Sequence, residues 1–287
     1  MRHGRETFPR FLRRSASRST GAHVKERQHT HELGPARYAK GKVSVLMSAY
    51  KTSKYLAESA GSVLGQRLRP AVSIELIIGV DHDPQCLDVA REIARRDPRV
   101  TLLWMKKNVG TYRTMNTCLT YARGAYISVL DSDDVSLPGR FMTAMRAFAE
   151  DPDLKMVGSW FYDVDEALRI RKLMKMTNVM THSSWTVKKS VYDELGGYKE
   201  LRCGADYDFL VRVRKNNHKV LCMQEPCVKH RGRPGSLSGG NPATRRNSPE
   251  RNRANAETKR EADAAEGEAT RLTLRPAPHR VEVRAAP

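Results

Sequence analysis

No run in this 287-residue chain approaches the roughly 18 apolar residues that a membrane-spanning helix needs, and the N-terminus lacks the apolar core of a secretory signal. The five cysteines, Cys86, Cys118, Cys203, Cys222 and Cys227, are odd in number, form no CxxC pair and have no histidine at zinc-finger spacing. These absences argue against a spanning protein, a disulfide scaffold and a structural zinc site. They predict a soluble, cytoplasmic protein that touches an anionic membrane, if at all, peripherally and through charge. Apolar residues are also scarce, at 39% of the chain, and the shortfall is uneven. They thin out before Val43 and after Leu237, so one domain over residues 43–236 is predicted between two disordered tails, 1–42 and 237–287.

Charge is abundant, with 51 Lys and Arg against 32 Asp and Glu and a formal net charge of +19. Residues 1–42 hold eleven basic and three acidic side chains and residues 237–287 hold ten and seven, which leaves about +8 for the central domain. That excess suits a polyanionic substrate as well as a nucleic acid. No RRM-like aromatic motif, zinc finger or helix-turn-helix signature accompanies it, so no specific nucleic-acid partner is predicted.

Within the central domain, apolar strand-like runs alternate with helical stretches. VSVLM (43–47), IELIIGV (74–80), VTLLW (100–104) and AYISVL (125–130) are separated by stretches with helical spacing at 53–66, 86–95, 111–122 and 138–150. This alternation predicts a parallel sheet with crossover helices. The second half changes character: KMVGSWFYDVD and ALRIRKLMKM read as strands, followed by helices at 188–195 and about 205–215. The division predicted is a nucleotide-binding half, 43–135, and an acceptor half, 136–236.

The sharpest chemical signal is LDSDD, where Asp131, Asp133 and Asp134 follow directly on an apolar strand. Three carboxylates in four residues repel one another, so a fold keeps them where a cation or a donor-rich ligand compensates. At the carboxyl end of a parallel strand, Mg²⁺ or Mn²⁺ could take carboxylate and diphosphate oxygens there. A solvated turn capping the next helix is the plainer alternative.

Here the chain resembles the family 2 glycosyltransferases. VSVLMSAYKTSKYLAESAGSVLGQ is similar to the family's first strand, loop and helix, with Ala49 and Tyr50 at the nucleobase pocket. ELIIGVDHDP resembles its second strand, with Asp81 as the acid that accepts from the base. NVGTYRTMNTCLTYARGAYISVLDSDD resembles the stretch from the NxG turn to the DXD motif, with Asn108, Gly110, Arg113 and Asn116 at matching positions. The resemblance implies a GT-A fold, Rossmann-like with a mixed sheet and helices on both faces. It also implies a nucleotide-sugar donor, a glycan or lipid-linked acceptor and an inverting transfer.

By the same resemblance Asp133 and Asp131 hold a divalent metal, although Asp131 could instead contact the ribose, and Arg113 approaches the diphosphate. Asp206 in RCGADYDFLVRV is the catalytic base, with Ala205 where the family has Glu and Asp208 as a substitute candidate. Tyr198, after the Gly196–Gly197 turn, either stacks on a sugar or belongs to the core. Arg231 matches the arginine of a basic loop that closes over the diphosphate, and Arg233 stands where many relatives have His. The resemblance ends near Ser238. It leaves open a rival reading, a catalytically inactive GT-A domain that binds or scaffolds through its basic tails.

Overall fold

The computed structural model describes residues 39–177, 180–234, 236, 248–264, 277 and 279–283. The extension expected over 1–42 lies outside the described residues except for its last four, of which Gly41 and Lys42 already belong to the first strand. Four parallel strands form the core of the sheet in the order β3 (Val100–Met105), β2 (Val72–Val80), β1 (Gly41–Ala49), β4 (Tyr126–Val129). The crossovers are α1 (Ser53–Leu64), α2 (Pro84–Arg96) and α3 (Thr111–Thr120).

The period-2 alternation of strand side chains sorts the apolar residues onto two faces. From β1 and β2, Val43, Val45, Met47, Leu76 and Ile78 meet α1 and α2, whereas Leu46 and Ile77 meet α3 on the other face. Runs this apolar on both sides can exist only where helices cover both faces. At Gly79 a Cβ would lie 2.6 Å from the Thr114 methyl and 2.7 Å from Cys118 Sγ, so this glycine lets α3 settle directly on β2.

Beyond β4 the sheet becomes mixed. β8 (Thr186–Lys188) pairs antiparallel with β4 and with β6 (Leu154–Val164), and β6 runs parallel to β9 (Lys219–Arg231). β5 (Val135–Ser136) pairs with β9, and β7 (Ile170–Met174) hangs on β6. The helix α4 (Arg140–Glu150) joins the α1–α2 face, while α5 (Lys189–Leu195) and α6 (Ala205–Lys215) join α3. One sheet therefore runs through both halves that the sequence separates.

Three local differences from the sequence reading have physical causes. Pro138, expected in the first turn of a helix, lies before it, because Gly139 at φ +84 breaks the helical path and α4 starts at Arg140. The strand β9 is concealed in the sequence by Pro226, which pairs with Trp160 at an irregularity in the β6–β9 ladder. Within the segment read as a C-terminal tail, α7 (Pro249–Ala264) packs on α6 and β10 (His279–Val283) pairs antiparallel with β3. Ion pairs Arg202–Glu250 and Arg91–Glu282 hold this polar segment, whose composition gives no apolar face to read.

A buried acid ties the first strands to the turn before β4. Glu75 on β2 accepts from Ser44 Oγ (2.7 Å) on β1, and from the Arg123 backbone N–H (2.8 Å) and Nε (2.9 Å). Burial opposes its charge, but Ser44 and Arg123 outweigh that and hold it below the usual glutamate value. A depressed acid stabilises the fold above its unfolded value and loses that contribution as pH falls through its folded value. Glu75→Gln is expected to cost roughly 2–3 kcal/mol near neutral pH in urea unfolding, with the difference from wild type shrinking as pH drops below 4.5.

Candidate active site

The order β3-β2-β1-β4 places the carboxyl ends of β1 and β4 side by side where the chain changes direction across the sheet, the position at which open α/β sheets bind ligands. Ala49 ends β1 fully buried, and Tyr50 beyond it is 42% exposed. Lys51 follows at φ +54, its N–H donating to Asp83 Oδ2 (2.7 Å). Thr52 Oγ1 lies 2.9 Å from Ser132 Oγ, stitching this loop to the acidic loop after β4. The exposed Tyr50 ring thus stands on a backbone anchored from two sides.

Asp81, expected to face a nucleobase, is placed differently. It is buried, and its two carboxylate oxygens accept from the N–H groups of Val109 (2.7 Å) and Gly110 (2.9 Å). Asn108 Nδ2 donates to the Asp81 carbonyl (3.3 Å). Burial raises the Asp81 carboxyl, and these backbone donors offset part of that. The three residues therefore form a clasp that sets the start of α3, where Gly110 takes φ +86 with open space beside it. Arg113, one turn into α3, lies 3.7 Å from Glu200 and keeps a buried Nε with no hydrogen-bond partner among the described residues. Asn116 exchanges hydrogen bonds with the Tyr198 backbone, at 2.8 Å in each direction.

The acidic loop draws its counter-charge from β9. Asp134 is fully buried, accepting from His230 Nδ1 (3.0 Å) and from the Arg231 backbone N–H (2.9 Å). Burial works against its charge, but His230 and these donors hold the carboxyl below its ordinary value. In return the Asp134 charge lifts His230 to about 9. Asp133 Oδ2 accepts from Arg233 Nε at 2.5 Å, yet burial and the charge of Asp134 keep Asp133 raised. Asp131 forms no ion pair among the described residues, and burial together with Asp134 and Asp133 lifts it to about 7. Beneath the loop, the buried Arg140 donates to Ser136 Oγ, Ser128 Oγ and the Val129 carbonyl. Burial lowers its guanidinium to about 10, and its charge faces Asp134 and Asp131 without touching them.

Arg231, expected at the diphosphate, turns inward instead. Its guanidinium donates to the carbonyls of Asp133 and Glu166 and to Glu58, and packs over the Tyr55 ring. The basic side chains that meet the acid cluster are Arg233, at Asp133, and His230, at Asp134.

Asp206 opens α6 behind Gly204, whose φ of +85 delivers the chain into the helix. Its Oδ1 accepts from Tyr112 Oη at 2.7 Å. Asp208, the substitute candidate, is buried and paired with Arg212 (2.9 Å) and Lys199 (2.8 Å), which occupies it structurally. Tyr198 is a core residue, its hydroxyl bonded to Tyr192 Oη (2.8 Å) and His182 Nε2 (2.9 Å). Sequence reasoning missed His230, Tyr112 and Arg140. His230 stands beside Arg231 in the basic loop, but its partner is 96 residues away.

A histidine raised by its partner stabilises the fold fully below its unfolded value and loses that contribution as pH rises through its folded value. Thermal unfolding should therefore show His230→Gln well below wild type at pH 6, with the gap narrowing as pH passes about 9.

Comparison with known proteins agrees with this architecture. An uncharacterised glycosyltransferase of Methanocaldococcus jannaschii is 28% identical over 204 residues, 66% of this chain and 70% of its own length. The O-antigen biosynthesis glycosyltransferase WbnJ of Escherichia coli is 27% identical over 190 residues, 60% of this chain and 71% of its own. Among solved structures, S. aureus TarS 1–349 in complex with UDP-GlcNAc superposes with a TM-score of 0.57 at 17% identity, over 68% of this chain and 60% of that one. The mannosyltransferase PcManGT of Pyrobaculum calidifontis, in complex with GDP-Man and Mn²⁺, gives 0.54 at 15%, over 67% and 57%. The chain thus spans about 60% of the solved chains it matches, and at such identities they establish the GT-A fold alone. With residues 44–216 matching the model for glycosyl transferase family 2, the chain belongs to that family.

Proposed function

We propose that this chain transfers a sugar from a nucleoside-diphosphate sugar, a UDP-sugar in the first instance, to a hydroxyl of a glycan or lipid-linked acceptor with inversion, in the synthesis of cell-surface polysaccharide. The observation that carries the reading is the acidic loop at the carboxyl end of β4. There Asp131 makes no ion pair among the described residues, and burial together with Asp134 and Asp133 lifts it to about 7. The UDP-GlcNAc in the TarS complex and the O-antigen role in the name of WbnJ support donor and pathway.

Among the described residues no three His, Cys, Asp or Glu side chains are arranged to hold a metal by themselves. A hard divalent ion needs fewer, since one or two carboxylates suffice when diphosphate oxygens and water complete the shell. Asp131 and Asp133, raised by burial and mutual repulsion, fit Mg²⁺ or Mn²⁺ on that basis. Once bound, such an ion offsets the negative charge that grows on the departing diphosphate.

The protein's own groups would divide the remaining work. The exposed Tyr50 ring offers a stacking face for the base, and the Asp81–Asn108–Gly110 clasp holds the loop beside it. Arg113, with an unused buried donor, and Arg233 direct positive charge to the diphosphate. Arg231 fixes the acidic loop from behind. Asp206 takes the proton from the acceptor hydroxyl as that oxygen attacks the anomeric carbon opposite the leaving group. The bond from carbon to diphosphate oxygen breaks, and its electron pair leaves with the nucleotide. Among the described residues no helix is long and apolar enough to cross a membrane, so a lipid-linked acceptor would be met at the membrane surface.

The test is thermal stability with Mn²⁺ and each of UDP, GDP and dTDP, on wild type and Asp133→Ala. A metal-dependent rise for one nucleotide, lost in the variant, is the expected result; no rise with any nucleotide would support a non-catalytic scaffold. Asp206→Asn should keep that rise while turnover falls by roughly 10²–10⁴-fold.

A further inference from the structure

The first turn of α3 reaches in two directions. At its entry Gly110 is clasped by the Asp81 carboxylate, and two residues on Tyr112 sends its hydroxyl to Asp206 Oδ1 at 2.7 Å. Residues 110–112 thus connect the loop assigned to the donor with the hydrogen bond to the group assigned as base. Tyr112 is 6% exposed, and its ring lies 5.7 Å from that of Tyr198 and 6.2 Å from that of His182. Its aromatic plane is therefore held by packing, and its hydroxyl has a fixed aim.

We infer that Tyr112 is a positioning residue for the transfer, orienting the Asp206 carboxylate and linking its geometry to the donor loop. The inference rests on the reading of Asp206 as the base. A phenol carries one proton, and here it is committed to Oδ1. With the phenol on Oδ1, the inference assigns the other carboxylate oxygen, Oδ2, to the acceptor hydroxyl. A carboxylate on the first turn of a helix can rotate about two side-chain torsions, and a single fixed donor removes that freedom. Burial, with the charges of Asp206 and Asp131, keeps the Tyr112 phenol well above its usual value, so it remains a donor across the working pH range.

Other groups also surround Asp206. His182, on the single turn His182–Ser184, senses its charge but is kept below its usual value by burial, and its Nε2 faces the Tyr198 hydroxyl. The Tyr198 phenol and the Cys203 thiol are both raised by burial and sense Asp206 as well. Arg251, on the first turn of α7, acts through its charge on Tyr112 and Cys203. The hydrogen bond at Asp206 Oδ1 comes from Tyr112.

Tyr112→Phe keeps the ring and removes the hydroxyl. In the full-length chain, with a donor and acceptor that wild type turns over, it should lower kcat about tenfold or more and leave the donor KM and the nucleotide-dependent thermal shift unchanged. A residue that only packs would lower the melting temperature without separating kcat from the donor KM. If Asp206→Asn is inactive while Tyr112→Phe keeps the kcat of wild type, the inference is wrong and the base assignment stands. If Asp206→Asn itself turns over normally, both fall together.

Discussion

Three carboxylates within four residues cannot share a buried loop unless positive charge reaches them. In this chain that charge comes from a strand distant in sequence: His230 and the Arg231 backbone meet Asp134, and Arg233 meets Asp133. The pairing fixes more than the loop. It holds the end of β9 against the loop that follows β4, and β9 runs parallel to β6 for most of its length, so the same contact ties that loop to the outer part of the sheet. Arg140 supports the arrangement from below through hydroxyls and carbonyls, contributing positive potential without consuming a carboxylate oxygen.

The consequence is a graded set of acids. Asp134, deepest and best paired, is held in its ionised form; Asp133 shares one arginine; Asp131, with no ion pair among the described residues, is lifted to about 7. Such a gradient is costly in an isolated domain and relieved by a ligand that brings its own cation, a common trade of local stability for binding. The same logic separates the two acids of α6. Asp208 is paired with Arg212 and Lys199 and serves the fold, while Asp206, on the first turn of the helix, is met by the Tyr112 phenol.

The parallel half of the sheet was legible because its strands are buried on both faces and read as continuous aliphatic runs, separated by helical periodicity. β1, β2 and β3 fall within two residues of the runs that announce them. The later strands were harder. β9 contains Pro226 and many polar residues, β8 has only three residues, and β10 lies in a charged segment whose pairing with β3 depends on an edge that no local pattern reveals. In the site, the acids were visible as types and spacings, but the directions of Asp81 and Arg231 were not. Both were expected to face a ligand, and both are occupied by protein partners.

What the sequence determined by itself is therefore the local chemistry: an α/β order of elements, a switch-point loop rich in carboxylates, and an aspartate at a helix start. Hydrophobic period and residue type are short-range properties, and neighbours along the chain suffice to express them. Only the tertiary structure decided which cation meets which acid, because an ion pair such as His230–Asp134 joins residues whose separation of 96 positions leaves no trace in local pattern. It also decided that Tyr112 rather than another donor meets Asp206, since that contact exists only once α3 and α6 are packed on the same face of the sheet.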